Sequence, residues 1–163
     1  MDLVERLKSL EPGFLPEEIF GEIARLVVTP TIVLVPVLTD ISGKAKVLLT
    51  KRDSSAKYYP GMYNLPGTVL LSTDKSLDFA IDRLINKELS GLEIGNAPIF
   101  VANIFERIDR GMELSLIYKL DLKNEPINYE LFDTTDLPEN IVKTDMARIE
   151  NVVESISMVH RLN

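Results

Sequence analysis

The sequence has no cysteine and a single histidine, His160. Without cysteine the chain cannot form disulfides, thiolate metal sites or a cysteine nucleophile, which fits a reducing cytoplasm. One histidine disfavours metal sites with several histidine ligands and most histidine-based triads. The longest apolar run, TIVLVPVL at residues 31–38, is too short to span a bilayer, and the first residues lack the features of a signal peptide. We therefore expect a cytoplasmic protein with no membrane partner.

Positive charge is also scarce in this chain. The 163 residues include 18 lysines and arginines against 25 acidic residues, which gives a formal net charge of -7. Such a balance argues against general affinity for a nucleic acid polymer or for anionic lipid. An anionic small molecule would need local cations or a bound divalent metal. The length and the 45% hydrophobic content suit one domain with its own core.

The first 30 residues are predicted to form an N-terminal helical extension. Pro16 and the two glutamates after it suit the first turn of a helix, and apolar residues at helical spacing follow until Pro30. Residues 31–163 then form the main domain.

Strands and helices are interleaved along the main domain. Ser76 is a good N-cap for a central helix, and Gly91 lies just past its end. Interleaved strands and helices, with consecutive strands antiparallel, predict a single α/β or α+β domain with a mixed sheet covered by helices. The predicted elements are strands at 31–38, 45–52, 97–108 and 112–122, and helices at 76–89 and from about 144.

Glu88 does not fit the apolar face of the central helix. On a helical wheel it lies between Leu77 and Ile81, among the residues that should be buried. A buried, unpaired carboxylate would be costly unless it were protonated, paired or bound to a cation. Alternatively, Glu88 reaches solvent, because it belongs to the last turn of the helix. Both interpretations stay open.

Residues 47–94, VLLTKRDSSAKYYPGMYNLPGTVLLSTDKSLDFAIDRLINKELSGLEI, resemble the Nudix hydrolases. The resemblance rests on the strand ending LTKR, the loop YYPGMYNLPGTV, and a helix with A-x-x-R followed by E-L. The FERIDRGMELSLIYKL hairpin, the DLPEN turn and the C-terminal helix extend it over most of the chain. It implies an α/β/α sandwich with a mixed β-sheet.

The resemblance also implies a chemistry. Nudix enzymes split a diphosphate linked to another moiety, usually with magnesium, by attack of water on phosphorus. Their pattern is G-x5-E-x7-R-E-U-x-E-E-x-G-U, where U is a bulky aliphatic residue. The acids serve as hard oxygen ligands for metal ions that bridge the diphosphate. A small phosphate-containing ligand of the nucleoside-diphosphate-X kind, with Mg²⁺ or Mn²⁺, is therefore expected if the protein is active.

Matched residue by residue, the Nudix pattern is eroded. Gly67 matches the first glycine of the P-G-G triplet that the family has in this loop, and Thr68 or a deletion replaces the second. Arg83 matches the arginine, but Leu84 replaces the glutamate that should follow. Lys87 replaces the first member of the glutamate pair, so only Glu88 remains. A lysine beside the expected metal site repels a divalent cation.

The resemblance implies roles for further residues. Glu88 would be the catalytic acid and a metal ligand, with Asp74 and Glu106 as additional ligands and Glu113 as another late acid. Glu106 and Glu113 are otherwise exposed strand positions. For the tyrosines at 58, 59 and 63, stacking on a ligand ring and bracing of the loop are equally open. The substrate-binding set is Arg52, Tyr63, Gly67, Arg83 and Lys87.

Two functions follow from the resemblance. The first is a Nudix hydrolase by descent, whose activity is weak or absent because its metal-binding box is eroded. The alternative is a non-catalytic Nudix-like module that binds a nucleotide-like ligand or a protein partner. A homodimer formed through the first helix is also open.

Overall fold

The computed structural model describes residues 2–162. Helices lie at both ends of the chain and in its middle, and strands fill the intervals. The elements are α1 (Leu3–Lys8), α2 (Glu17–Leu26), β1 (Thr29–Thr39), β2 (Ala45–Lys51), β3 (Tyr63–Asn64), β4 (Gly67–Val69), α3 (Leu77–Glu88), β5 (Ile99–Ile108), β6 (Gly111–Asp121), β7 (Glu130–Asp133) and α4 (Lys143–Leu162).

Within residues 2–162 the strands form one seven-stranded sheet centred on β1. The order along the main path is β3-β2-β1-β6-β5, while β4 pairs with β1 and β7 pairs with β2. Strand β1 runs parallel to β6 over nine residue pairs. The other pairings between two of the named strands are antiparallel. The predicted mixed sheet is confirmed.

Each face of the sheet is covered by a helix. Side chains alternate along β1, so that Val33, Val35 and Val37 share one cluster with apolar residues of α4. Ile32 and Leu34 point the other way and share a second cluster with apolar residues of α3. The result is the three-layer α/β/α sandwich that the sequence predicts.

The central helix closely follows its prediction. The Ser76 hydroxyl accepts a hydrogen bond from the Phe79 backbone N–H and caps α3. Past the helix end, Gly91 has φ +85°, a left-handed conformation that glycine adopts without strain. These local signals place both ends of the helix within a residue or two of 76 and 89.

Three short strands, β3, β4 and β7, were not predicted. Strand β7 occupies residues 130–133, just before the predicted DLPEN turn. It forms by pairing with β2. Strand β4 pairs with residues 31–33 of β1. These segments are too short for a periodic signal, so their pairing with distant strands decides their conformation.

The N-terminal extension contains two helices that are attached differently. No residue of α1 is buried. Helix α2 contacts β6, where Ala24 is completely buried. Strand β1 starts at Thr29, two residues before the predicted domain boundary at 30/31, which stays a prediction.

No helix within residues 2–162 combines the length and apolar character needed to cross a membrane.

Candidate functional site

Glu88 is partly buried at the C-terminal end of α3. Burial raises the pKa of its carboxyl above the usual value, while the charges of Lys87 and Arg52 act in the opposite direction. Both interpretations from the sequence are therefore partly right: the side chain lies against protein, yet it keeps contact with water.

The helix offers Glu88 no second carboxylate in the positions expected for a metal box. Leu84 is 1% exposed and belongs to the core beside Ile32 and Leu34. Lys87 is exposed, and its Nζ lies 5.2 Å from the centroid of the Phe14 ring. The two positions at which the Nudix pattern has glutamates are thus occupied by a core side chain, Leu84, and a cation, Lys87.

Asp74 and Arg83 form a bidentate ion pair that fastens the loop to α3. Arg83 Nε and Nη2 donate to the two carboxylate oxygens of Asp74 at 3.0 and 2.8 Å, and the Leu71 backbone N–H donates to Asp74 as well. Arg83 also donates to the Thr68 hydroxyl and the Val69 carbonyl. The arginine lowers the pKa of Asp74. Both side chains are therefore occupied within the protein.

Glu106 lies on the α4 side of the sheet, where it accepts a hydrogen bond of 2.7 Å from Arg148 Nη2. The same guanidinium binds Asp145 at 2.6 Å and Glu113 at 3.0 Å. Glu113 is 2% exposed, so its prediction as an exposed strand position is wrong. Three carboxylates from two strands and a helix thus converge on one buried arginine.

A polar cavity of about 130 Å³, which we call the arginine cleft, lies beside this ion cluster. It is bounded by β1, β4, β6 and the start of α4. Two predicted substrate-binding residues, Arg52 and Gly67, line it. The polar side chains in its wall belong to Thr31, Arg52, Tyr59, Asn64, Thr68, Arg110, Glu113, Thr144, Asp145 and Arg148.

The hydrogen-bond donors of the cleft exceed the acceptors that the protein provides. Arg110 Nη2 binds Glu113 at 2.6 Å, yet the buried Nε atoms of Arg110 and Arg148 have no partner within residues 2–162. Arg52 Nε donates to the Tyr58 carbonyl at 2.8 Å. Its guanidinium forms no ion pair with a carboxylate of the described chain. Both Nε atoms are closed to solvent, so the guanidinium of Arg52 is the cation that this cleft offers to a ligand.

A larger cavity of about 530 Å³, which we call the N-terminal pocket, adjoins the cleft. It lies between residues 13–30 of the extension and the segment 67–72, and Lys87 and Arg110 complete its wall. Residues 67–69 and Arg110 line both cavities. Lys87, a predicted substrate-binding residue, thus lines this pocket. The guanidinium carbon of Arg83, another of these residues, lies 5.3 Å from the centroid of the Phe14 ring.

The loop tyrosines mainly brace the structure. Tyr63 packs edge-on against Phe132 with ring centroids 4.9 Å apart, and its carbonyl accepts a hydrogen bond from Val142. Tyr59 adopts a left-handed conformation with φ +53°, and its hydroxyl accepts a hydrogen bond from the Asp109 N–H. Tyr59 lines the cleft, whereas Tyr63 does not.

Solved structures with a similar fold belong to Nudix proteins. No family model matches the sequence, and no curated protein matches it either. Among solved structures, a mutT/nudix family protein from Listeria innocua is 18% identical with a TM-score of 0.62, covering 83% of this chain and 98% of that one. The NUDIX domain of Shewanella oneidensis NrtR, complexed with ADP ribose, is 16% identical with a TM-score of 0.61, covering 96% and 99%. A MutT NUDIX hydrolase from Burkholderia pseudomallei is 18% identical with a TM-score of 0.53, covering 76% and 98%.

The chain has the Nudix fold. The predicted fold class is thereby confirmed, although the residues of this Nudix fold do not fit a divalent metal. The predicted ligands Glu88, Asp74 and Glu106 are not brought together, and among the side chains that the structure describes no group of three or more acids fits around a metal ion. Mg²⁺ and Mn²⁺ prefer several oxygen ligands, whereas the single acid here has a lysine beside it.

The Nudix fold brings three further residues to the cleft that were not predicted from the sequence, namely Arg110, Asp145 and Arg148. Asp145 and Arg148 are three residues apart near the start of α4, so both face the same side of the helix. That spacing was the available signal. Nothing in the sequence connects this pair with Glu113, because the contact forms across 35 positions of the chain.

Proposed function

We propose that this chain is a Nudix-type binding module, which holds a small phosphate-containing ligand of the nucleoside-diphosphate kind in the arginine cleft without hydrolysing it. The observation that carries the proposal is the guanidinium of Arg52, which lines the cleft and forms no ion pair with a carboxylate of the described chain.

A phosphate group suits the Arg52 guanidinium. Its Nε donates to the Tyr58 carbonyl, and its terminal N–H groups can donate charge-assisted hydrogen bonds to phosphate oxygens. Arginine is particularly suited to this role, because its planar fork matches the geometry of phosphate. The acids of the cleft do not oppose an anion strongly, since Glu113 and Asp145 are already paired with arginines.

The nucleoside-diphosphate class is supported by the fold comparison. The NUDIX domain of NrtR was crystallised with ADP ribose, which is a diphosphate that links a nucleoside to a sugar. The alignment covers 96% of this chain, so it reaches into the N-terminal extension. The net charge of -7 makes a local cation such as Arg52 more important, because the chain as a whole repels anions.

We propose that the protein does not hydrolyse its ligand because of the residues at the positions where Nudix enzymes have metal-binding acids. Leu84 is part of the core, Lys87 is a cation, and both oxygens of Asp74 are bound to Arg83. A lone Glu88 with a raised pKa is a poor seat for a divalent metal. In this proposal Arg52, whose guanidinium has no carboxylate partner in the described chain, supplies positive charge that a metal ion would otherwise supply.

Isothermal titration calorimetry with ADP-ribose and with pyrophosphate tests the proposal. We expect both ligands to bind in EDTA, with affinities that added Mg²⁺ does not increase, and no release of AMP from ADP-ribose. Arg52→Gln should weaken both ligands about tenfold or more, since it removes a charge-assisted contact. Arg107→Gln is the matched control, because Arg107 is exposed on β5 and does not line the cleft.

Two results would contradict the proposal. One is the absence of binding heat for both ligands. The other is metal-dependent release of AMP that disappears in Glu88→Gln, which would establish the hydrolase by descent instead. Circular dichroism of each variant verifies that the fold is intact.

A further inference from the structure

The N-terminal pocket is a largely apolar cavity that adjoins the arginine cleft, where the phosphate is proposed to bind. Given the proposed function, on which this step rests, we infer that the pocket receives the planar ring of the ligand, such as its nucleobase. The N-terminal extension would then decide which diphosphates bind.

The wall of the pocket suits a ring rather than a second phosphate. Most of its side chains are apolar, and the extension contributes more of them than the main domain does. Phe14 remains 64% exposed, so its ring is available to a ligand. The apolar side chains of the wall are Phe14, Leu15, Phe20, Ile23, Val27, Val28, Pro30, Val69, Leu70 and Leu71.

The cations of the pocket lie next to its two aromatic rings. Lys87 Nζ lies 5.2 Å from the Phe14 ring centroid, and the Arg110 guanidinium lies 5.5 Å from that of Phe20. A ligand that carries both a ring and a diphosphate could therefore stack on an aromatic side chain while its phosphate remains near a positive charge.

The geometry also connects the two cavities. Arg110 and residues 67–69 belong to both walls, so a phosphate in the cleft and a ring in the pocket can be parts of one molecule. The cleft, at about 130 Å³, is too small for a whole nucleotide, whereas the pocket, at about 530 Å³, has the size of an ordinary ligand site. The two cavities thus divide the ligand between them.

Calorimetry with ADP and with pyrophosphate separates the two parts. Wild type should bind ADP about tenfold to hundredfold more tightly than pyrophosphate, which is the range expected for stacking of one base on an aromatic side chain. Phe14→Ala should remove most of this advantage and leave pyrophosphate binding unchanged. Val27→Trp, which places a bulky side chain at the pocket wall, should have the same effect.

Phe105→Ala is the matched control, because Phe105 is 61% exposed on β5 and does not line the pocket. It should change neither affinity. Equal affinity of wild type for ADP and pyrophosphate would overturn the inference while leaving the proposed function intact. The inference would also be overturned if the Phe14→Ala and Val27→Trp variants both kept the full preference for ADP over pyrophosphate. Failure of wild type to bind either ADP or pyrophosphate would instead overturn the proposed function.

Discussion

Glu88 lies in the last turn of α3, partly buried and with Lys87 beside it. The environment raises the pKa of the carboxyl mainly through burial. A carboxylate at such a position destabilises the fold whenever it is ionised, because the unfolded chain hydrates the charge better. Stability therefore does not explain why a glutamate occupies this position. The cost of the charge to the stability of the fold can be measured.

Glu88→Gln should stabilise the protein at pH 7. Because the folded pKa lies above the unfolded value, the folded state binds the proton more tightly, so the glutamate costs stability above the folded pKa. Below the unfolded pKa both states are protonated and this cost is absent. Thermal unfolding should therefore show a higher Tm for Glu88→Gln at pH 7 and a difference that shrinks as the pH falls toward 4.

The control for this measurement is Glu139→Gln, at an exposed position of the loop before α4. It should leave the Tm nearly unchanged at both pH values. A stabilisation by Glu88→Gln that is independent of pH would contradict the explanation, since it would show that packing rather than charge is responsible.

At the scale of elements, α3 and the loop before it behave as one unit. Arg83 lies in the middle of the helix and reaches back to Asp74, Thr68 and the Val69 carbonyl. The Asp74 and Arg83 side chains are only 5% and 18% exposed. Arg83 matches the arginine of the Nudix pattern and was predicted to bind substrate, whereas its hydrogen bonds within the protein join the loop to the helix.

Arg83→Ala should therefore lower the free energy of unfolding substantially. Removing one partner of a buried ion pair leaves the other uncompensated, at a cost of about 3 kcal/mol. Arg25→Ala is the control, because Arg25 pairs with Glu22 on the exposed face of α2 and should cost less than about 1 kcal/mol. Urea denaturation of both variants gives the comparison, and similar losses for the two would contradict the assigned role of Arg83.

The elements differ in how far the sequence determines them. Helix α3 was predictable because a cap, a glycine stop and an apolar stripe all agree within one segment. Strands β3, β4 and β7 have two to four residues each, and their conformation depends on distant partners in β1 and β2. The local sequence carries too little of that information.

At the scale of the whole molecule, the candidate site illustrates the same limit. Arg52 and Gly67 were predicted from the motif and do line the cleft. The ion pairs of Arg148 with Glu106 and Glu113 were not predicted, because they join α4 to β5 and β6 across 35 to 42 positions of the chain. Only the folded sheet brings these charges together, and periodicity or motif spacing within a segment cannot show it.

The attachment of the extension to the main domain depends on close contact between α2 and β6. Gly111 has φ +147°, and a Cβ atom there would lie 2.2 Å from the Ala24 carbonyl oxygen. Both the conformation and the space therefore require glycine. Because the extension forms one wall of the N-terminal pocket, this contact also maintains the proposed ligand site.

Gly111→Ala should displace α2 from the sheet. The clash and the strain together should cost about 2 kcal/mol or more, and hydrogen exchange of the α2 amides should accelerate. Gly91→Ala is the control, because Gly91 also has a positive φ, +85°, yet no atom of the described chain lies within 4 Å of its added Cβ. It should cost about 1 kcal/mol of backbone strain and leave exchange in α2 unchanged. Equal exchange of the α2 amides in both variants would mean that the extension is held by contacts other than this one.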